Sequence, residues 1–178
     1  NQNFVEFSDE QKFIINKIKK EFKISNLIGK LKELKKLKIL VIGEAIIDEY
    51  IFCEAFGKSG KEPVMVNKKI NSEKYAGGAI SIANSIGKFC DKVEFITYLG
   101  DKRSEINFIK RKLKKNIKLS YVSKKNSPTI VKTRVIDKYS KSKLSAIYDL
   151  NDNDLDEDSE NKLISILTKK LQKYDLVV

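Results

Sequence analysis

The sequence predicts an α/β protein with a mostly parallel sheet and, beside it, a small separate β unit. Two observations carry this prediction. The continuous apolar runs LKILVIG and KVEFITYLG are typical of strands buried on both faces of a parallel sheet. They alternate with segments of helical spacing in the order βαβαβα, whereas two stretches near 49–70 and 129–149 predict hairpins that fall outside that order.

Residues 1–37 predict a helical extension that precedes the α/β part. Ser8 is a favourable helix N-cap, and Gln11 follows it at the spacing of a capping box. Apolar residues then recur at helical spacing, and SNLIGKLKELKKL repeats the pattern as a second short helix. We interpret this extension as a linker or docking arm.

The remaining elements follow in order along the chain. Helices are predicted at 78–90, at 104–116 and over DLDEDSENKLISILTKKLQKY, whose acidic start and basic end suit the helix dipole. IKLSYVS predicts a short strand, the turn of the second hairpin falls near 140–142, and YDLVV opens a further buried strand. Because a buried strand is an unusual place for a domain to end, and because Asn1 is not a start Met, we expect a chain truncated at both ends.

The composition argues against several classes of function. The net charge of +12 would suit nucleic acid, but only three of the 36 basic residues are Arg and no recognition motif is present, so no nucleic-acid partner is predicted. No apolar run approaches the roughly 20 residues of a membrane span, so no membrane partner is predicted. With no His and only two Cys, neither a zinc site nor a disulfide framework is expected, and the predicted location is the reducing cytoplasm.

The acidic stretch DLNDNDLDEDSE raises the question of a calcium site. Asp152, Asp154 and Asp156 alternate as they do in an EF-hand loop. Glu157 stands where that loop requires glycine, and no bidentate Glu closes it. The stretch therefore predicts a turn followed by a helix start, and no metal site is assigned to the chain.

The pair Gly77-Gly78 stands at the start of a predicted helix, within EKYAGGAISIANSIGKFC. A helix start offers unpaired N–H groups, and glycine lets a ligand approach the backbone closely. Asp48 is expected just beyond the end of the first buried strand, where ligands of α/β sheets bind. Two structural alternatives remain open: the glycines could serve a helix start packed against the sheet, and Asp48 could cap a turn or a helix.

Taken together, VIGEAIID, AGGAISIANSIG and TYLGDK resemble the ribokinase (PfkB) family of sugar kinases. GKEPVMVNKKINSEKYAGGA and SPTIVKTRVID are similar to its RfaE-type heptose-phosphate kinase branch. The resemblance covers roughly residues 37–178. It implies the N-terminal, substrate-side part of a ribokinase-like three-layer core, with a small β lid formed by the two hairpins. It also implies that NQNFVEFSDEQKF is the end and linker of a preceding nucleotidyltransferase domain.

The resemblance implies a role for each of five candidate residues. Asp48 would bind sugar hydroxyls, and Gly77 and Gly78 would let the sugar lie against the backbone. Lys132 and Arg134 would face the substrate from the lid, where a phosphate group on the sugar would suit their charge. The structural alternative for these two cations is a solvated lid face.

Two departures from the family pattern limit the expected activity. Ser81 stands where the family usually has Asn, so we expect altered sugar binding or a water molecule in the gap. The family's Gly-Ala-Gly-Asp loop, which holds its general base, and its acidic Mg²⁺-linked motif do not occur before Val178. Since phosphoryl transfer depends on those parts, we assign no catalytic residue and expect this chain alone to be inactive; ATP and Mg²⁺ are expected only for the full-length enzyme.

The leading hypothesis is the substrate-binding half of an ATP-dependent sugar or sugar-phosphate kinase of heptose or sugar-nucleotide metabolism, from a bifunctional enzyme. The alternative is a non-catalytic sugar-binding or assembly module of a bifunctional nucleotidyltransferase. Nucleic-acid binding through the lysines is a third hypothesis, which a steep salt dependence of affinity would reveal. Exposed sheet edges tend to be paired, and lids of this family often pair between subunits, so a homodimer through the lid is expected.

Overall fold

The structure, a computed structural model, describes residues 7–178, and the first six residues of the predicted extension lie outside the described part. This part contains five α-helices, one 3-10 helix and eight strands. In chain order the elements are α1 (Asp9–Glu21), α2 (Ile24–Leu34), β1 (Lys38–Ile42), β2 (Ala45–Lys58), β3 (Met65–Gly77), α3 (Gly78–Ile86), β4 (Lys92–Gly100), α4 (Ile106–Lys112), β5 (Ile117–Lys124), β6 (Ile130–Asp137), β7 (Lys143–Asp149), α5 (Glu157–Lys170), the 3-10 helix (Leu171–Lys173) and β8 (Leu176–Val177).

Four parallel strands form the core sheet, in the order β5-β4-β1-β8. Helices lie on both of its faces, which is why the two central strands, β1 and β4, are mostly apolar. On one face Phe95 of β4 belongs to a buried cluster with Ile80 of α3 and Ile109 of α4. On the other face Glu94 is bonded to Lys170 at the end of α5. This arrangement is the α/β core with a mostly parallel sheet that the sequence predicts, in the three layers that the resemblance implies.

Glu94 is a buried charge that joins three elements. It accepts hydrogen bonds from the Ser120 hydroxyl at 2.5 Å, from the Lys170 ammonium group and from the Tyr174 hydroxyl. Burial acts to raise the pKa of Glu94, but these three donors outweigh it and hold that pKa below its ordinary value. Burial and the bond to Glu94 in turn raise the pKa of Tyr174 to about 12. The carboxylate therefore ties β4 and β5 to the end of α5 and to the segment before β8.

The second sheet, called the lid sheet below, has the strand order β3-β2-β6-β7. The pairs β2–β3 and β6–β7 are antiparallel hairpins, and β2 pairs with β6 in parallel. This parallel pairing confirms the expectation that the two hairpins form one separate sheet. The first hairpin is longer than the predicted stretch 49–70, because β2 begins at Ala45 and β3 continues to Gly77.

The position of Asp48 differs from the prediction. The sequence placed it just beyond the first buried strand, but β1 ends at Ile42 and β2 begins only three residues later, at Ala45. Asp48 is therefore the fourth residue of a lid strand. The sequence did not reveal that a second strand begins at Ala45, because the apolar residues of β2 continue the apolar run of β1 almost without a break.

Two predicted helices are shorter in the structure. The helix expected over 78–90 ends at Ile86, and the one expected over 104–116 is confined to α4. Glu105, at the N-cap of α4, has a left-handed backbone with φ of 51°, so the helix cannot extend back to residue 104. Leu113 is extended and ends it.

The strand predicted in YDLVV exists, but it is not buried. β8 pairs with β1 and lies at the edge of the core sheet. Leu176 and Val177 are 49% and 43% exposed, because no described strand lies on the outer side of β8. The expectation of a buried strand is therefore wrong for the described residues.

The helical extension forms α1 and α2. The predicted capping box is confirmed: the Ser8 hydroxyl accepts from the Gln11 N–H at 3.3 Å, and the Gln11 side chain accepts from the Ser8 N–H at 3.0 Å. No residue of α1 or α2 is buried, and Phe13 and Ile24 are 70% and 75% exposed. Among the described helices, none is both long enough and apolar enough to cross a membrane.

Gly100→Ala is expected to destabilise the fold strongly. Gly100 ends β4, and a Cβ there would lie 2.1 Å from the Pro128 carbonyl carbon and 2.2 Å from the Ser127 carbonyl oxygen. Both are backbone atoms, so neither can rotate away. We expect a loss of about 3 kcal/mol in the free energy of unfolding, measured by urea denaturation.

The matched control for this substitution is Gly60→Ala, because nothing lies within 4 Å of a Cβ at Gly60. We expect the free energy of unfolding of that variant to change by less than about 0.5 kcal/mol. Equal effects of the two substitutions would contradict the contact between the end of β4 and the segment before β6.

Candidate functional site

One face of the lid sheet gathers most of the candidate residues. In the ladder between β2 and β6, Asp48 lies beside Lys132 and Tyr50 lies beside Arg134. In the ladder between β2 and β3, Tyr75 lies opposite Asp48. Alternate residues of a strand share a face, so these five side chains project from the same side of the sheet. We call this side the substrate face.

Asp48 and Arg134 form an ion pair at the centre of the substrate face. Arg134 Nη1 donates to Asp48 Oδ1 at 2.5 Å, and this bond raises the pKa of the guanidinium above its ordinary value. The two side chains are only 25% and 20% exposed. The guanidinium also lies 5.5 Å from the centre of the Tyr50 ring. The pair therefore connects the two hairpins and fixes the orientation of the carboxylate.

Gly77 leaves room for the other oxygen of this carboxylate. A Cβ at Gly77 would lie 2.1 Å from Asp48 Oδ2, which is far closer than two non-bonded atoms can approach. Gly77 is the last residue of β3 and has an extended backbone, so space rather than conformation requires glycine there. The structure thus places Asp48 and Gly77 in direct contact.

Gly78 meets a different requirement. Its φ of +51° lies in the left-handed region, and a Cβ would lie 2.8 Å from the Glu44 carbonyl oxygen. That oxygen also accepts a hydrogen bond from Ala79 N–H at 3.1 Å. The start of α3 is therefore packed against the connection between β1 and β2, so a structural role is sufficient to explain Gly78.

Lys132 connects the substrate face to the core sheet. Its ammonium group lies 5.5 Å from the centre of the Tyr148 ring, its neighbour on β7. Lys132 also lines a cavity of about 360 Å³ with residues from the carboxyl ends of core strands and from the loop 150–155. Among these, Tyr98 donates to Glu44 Oε1 at 2.6 Å. Burial, and then this bond to Glu44, raise the pKa of Tyr98 well above its ordinary value.

Lys124 holds one wall of the cavity in place. It is 5% exposed, and its ammonium group donates to the carbonyl oxygens of Asn151, at 2.7 Å, and Asn153. It also lies 5.3 Å from the centre of the Tyr98 ring. The cavity lies where α/β proteins bind their ligands, beyond the carboxyl ends of the parallel strands.

Ser81 is not brought into this cluster. It lies in the first turn of α3 and is exposed, and its hydroxyl has no hydrogen-bond partner among residues 7–178. The side-chain amide in α3 that forms hydrogen bonds belongs to Asn84 instead. Asn84 accepts from Lys114 N–H and donates to the Lys112 carbonyl, each at 3.0 Å, and so fastens α3 to the end of α4.

Sequence reasoning missed the aromatic residues of the site. Tyr50 and Tyr75 share the substrate face with Asp48, and their ring centres are 5.7 Å apart with an angle of 79° between the planes. The signal for Tyr50 was present, because it stands two residues after Asp48 in a strand. Tyr75 could not be assigned, because its position opposite Asp48 depends on the register of the first hairpin.

The fold defines a structural class, an α/β core with a β lid. Two solved structures share this fold. The Possible 1-phosphofructokinase of Thermotoga maritima has a TM-score of 0.56 and 19% identity, over 79% of this chain and 43% of that one. Phosphofructokinase-2 of Escherichia coli, in complex with fructose-6-phosphate, has a TM-score of 0.55 and 16% identity, over 75% and 42%.

The family itself is identified by sequence. Residues 36–178 match the model of the pfkB family carbohydrate kinases. The chain is also similar to two proteins called bifunctional protein HldE. One, from a Nitratiruptor species, is 27% identical over 80% of this chain, and the other, from Aliarcobacter butzleri, is 31% identical over 81%. The chain belongs to the pfkB family of carbohydrate kinases, as its motifs predict.

This chain spans about 30% of the length of these curated relatives. The family match extends over the core sheet and the lid sheet, and it does not favour the non-catalytic module.

Gly77→Ala is expected to disturb the Asp48–Arg134 pair more than the fold. The added Cβ would meet Asp48 Oδ2, which belongs to a side chain that can rotate away at the expense of the ion pair. We expect the free energy of unfolding to fall by about 1 kcal/mol in urea denaturation.

A double-mutant cycle tests the cause of this loss. In the background of Arg134→Gln the ion pair is already absent, so Gly77→Ala should cost less there, with a coupling of about 0.5 kcal/mol or more. Fully additive effects would show that the two positions are independent.

Proposed function

We propose that this chain supplies the sugar-binding part of an ATP-dependent sugar-phosphate kinase, with a heptose phosphate as the first candidate substrate. The supporting observation is the contact between Asp48 and Gly77 beside Arg134. Gly77 gives the Asp48 carboxylate the room it needs in this position, and a carboxylate accepts hydrogen bonds from sugar hydroxyls.

Lys132 on the substrate face favours a phosphorylated sugar over a neutral one. Lys132 lies beside Asp48 and is not paired with a carboxylate in the part of the chain that the structure describes. A free ammonium group at the edge of the cavity suits a phosphate group. The net charge of +12 also draws anionic ligands toward the protein.

Phosphoryl transfer would add ATP and Mg²⁺, which neutralises charge at the transferring phosphate. The described residues contain no group of three His, Cys, Asp or Glu side chains placed to hold a metal ion. The role that we propose for this chain is the binding and orientation of the sugar, and no residue of the chain is assigned to catalysis. A cytoplasmic location suits this role, and both cysteines are free thiols.

The proposal predicts that Asp48→Asn weakens sugar binding. Isothermal titration with heptose 7-phosphate, fructose 6-phosphate and ribose, each alone, compares the affinities, and at least one sugar phosphate is expected to bind. We expect Asp48→Asn to lower that affinity about tenfold or more, because a charge-assisted hydrogen bond is lost. Lys132→Gln is expected to weaken binding of the phosphorylated sugar without affecting the same sugar lacking phosphate.

The chain offers a matched control in the ion pair of Arg103 with Asp149, which has the same length, 2.5 Å, but lies outside the cluster around Asp48. Asp149→Asn should leave the affinity for the sugar phosphate unchanged. Equal losses of affinity in Asp48→Asn and Asp149→Asn would refute a specific role for Asp48. If none of the three sugars binds to the wild-type chain, the proposal itself is refuted.

We also propose that the lid sheet mediates a homodimer. Its outer strands β3 and β7 are unpaired edges among the described residues, and Ile147 of β7 is 64% exposed. Ile147 lies beside Thr133, on the face of the sheet opposite Arg134, so a partner there would not cover the substrate face.

Ile147→Lys is expected to convert the dimer to a monomer without loss of sugar binding, because it places a charge in an apolar contact. Sedimentation velocity measures the oligomeric state. Leu171→Lys, at another exposed apolar position that lies outside the lid sheet, is the control and should remain dimeric. A wild-type chain that sediments as a monomer at all concentrations would contradict the proposal.

A further inference from the structure

The substrate face carries a second feature that the proposed function does not use. Next to the Asp48–Arg134 pair is a depression of about 340 Å³, lined by Asp48, Tyr50, Phe52, Glu73 and Tyr75. Pairing between β2 and β3 places Tyr75 opposite Asp48, and Glu73 opposite Tyr50. Two aromatic rings and two carboxylates therefore alternate as the four corners of one patch.

The Tyr50 and Tyr75 rings are held in fixed orientations. The edge of one ring meets the face of the other, in the T-shaped arrangement that aromatic pairs prefer. The Arg134 guanidinium lies over the Tyr50 ring, and the Tyr75 hydroxyl donates to Glu73. That hydrogen bond is the main reason why the pKa of Tyr75 is raised. Tyr75 is still 49% exposed, so its ring is fixed in direction but accessible to a ligand.

The composition of the patch matches the surface of a cyclic sugar. A sugar ring has an apolar face of C–H groups and a rim of hydroxyls. Aromatic side chains bury apolar surface, and carboxylates accept hydrogen bonds from hydroxyls. An open-chain polyol has the same hydroxyls but presents no flat C–H face, so an aromatic wall discriminates between the two forms.

Aromatic rings beside carboxylates can also bind organic cations. The neighbouring charges argue against such a ligand here. Arg134 already lies over the Tyr50 ring and neutralises Asp48, and the ammonium group of Lys141 lies 5.5 Å from the centre of the Phe52 ring. A further cation would be repelled by both.

We propose that the Tyr75 ring, supported at its side by Tyr50, forms a stacking wall for the ring of the substrate sugar, and that Tyr75 determines a preference for cyclic over open-chain sugar phosphates. The inference rests on the proposed function, because the ring would reach the wall while its hydroxyls bind Asp48. It identifies the substrate class as a sugar phosphate bound in its ring form, with the apolar ring face toward the lid.

The test compares two probes that differ only in the ring: heptose 7-phosphate and the heptitol 7-phosphate obtained from it by borohydride reduction. Titration calorimetry gives the affinity of each for the wild-type chain, which we expect to bind the ring form about tenfold more tightly. Tyr75→Ala should abolish that preference by weakening only the ring form. Tyr75→Phe should retain it, because the ring face remains while the bond to Glu73 is lost.

The possible results separate this inference from the proposed function. Equal affinities of the wild-type chain for the two probes, or a preference that survives Tyr75→Ala, would overturn the stacking wall and leave the sugar site intact. Absence of binding of both probes would overturn the heptose phosphate as the substrate and the wall with it, whereas binding of another sugar phosphate would keep the proposed kinase function. Choline serves as a third probe, and its binding to the wild-type chain but not to Tyr75→Ala would show a cation site and overturn the inference. Melting curves by circular dichroism establish that both variants are folded.

Discussion

The parallel pairing of β2 with β6 is the interaction on which the lid and its site depend. It joins two hairpins that are separated in sequence by the whole of α3, β4, α4 and β5. Its register, from Ile46 beside Ile130 to Cys53 beside Asp137, decides which side chains meet. Because the side-chain period of a strand is two, a slip of one residue would turn Asp48 and its neighbours to the opposite face. The buried Ile47 and Val131, which lie side by side on that opposite face, hold the register.

Glycines fix the lid to the core at two points. Gly77 and Gly78 lie where the lid sheet passes into α3, and Gly100 lies where β4 meets the segment before β6. The Gly100 backbone N–H also donates a hydrogen bond to the Thr129 hydroxyl at 3.0 Å. Contacts this close leave little freedom at either point. The base of the lid is therefore positioned by backbone packing.

The sequence predicted the elements well and their contacts only in part. Apolar runs and a capping box depend on neighbouring residues, so β1, β4 and α1 could be recognised directly. The pairing of Asp48 with Arg134 and the position of Tyr75 depend on the registers of two ladders, which no local pattern encodes. The same limit hid the role of Glu94, whose partners come from three separate parts of the chain. The family resemblance identified Asp48 and Arg134 as candidate site residues, but it did not indicate that these two side chains bind each other.

That ion pair has a consequence for how a sugar would bind. Asp48 has two oxygens, and the structure gives them different surroundings: Oδ1 accepts from Arg134, whereas Oδ2 lies against Gly77 and accepts no hydrogen bond from the described residues. A sugar hydroxyl can therefore bond to Oδ2 without displacing the guanidinium, so binding does not need to break an ion pair. Arg134 would then act as a positioning residue, which holds the carboxylate in one orientation before the substrate arrives. An aspartate free to rotate would have to lose that freedom on binding, and the pre-formed pair removes this cost from the affinity.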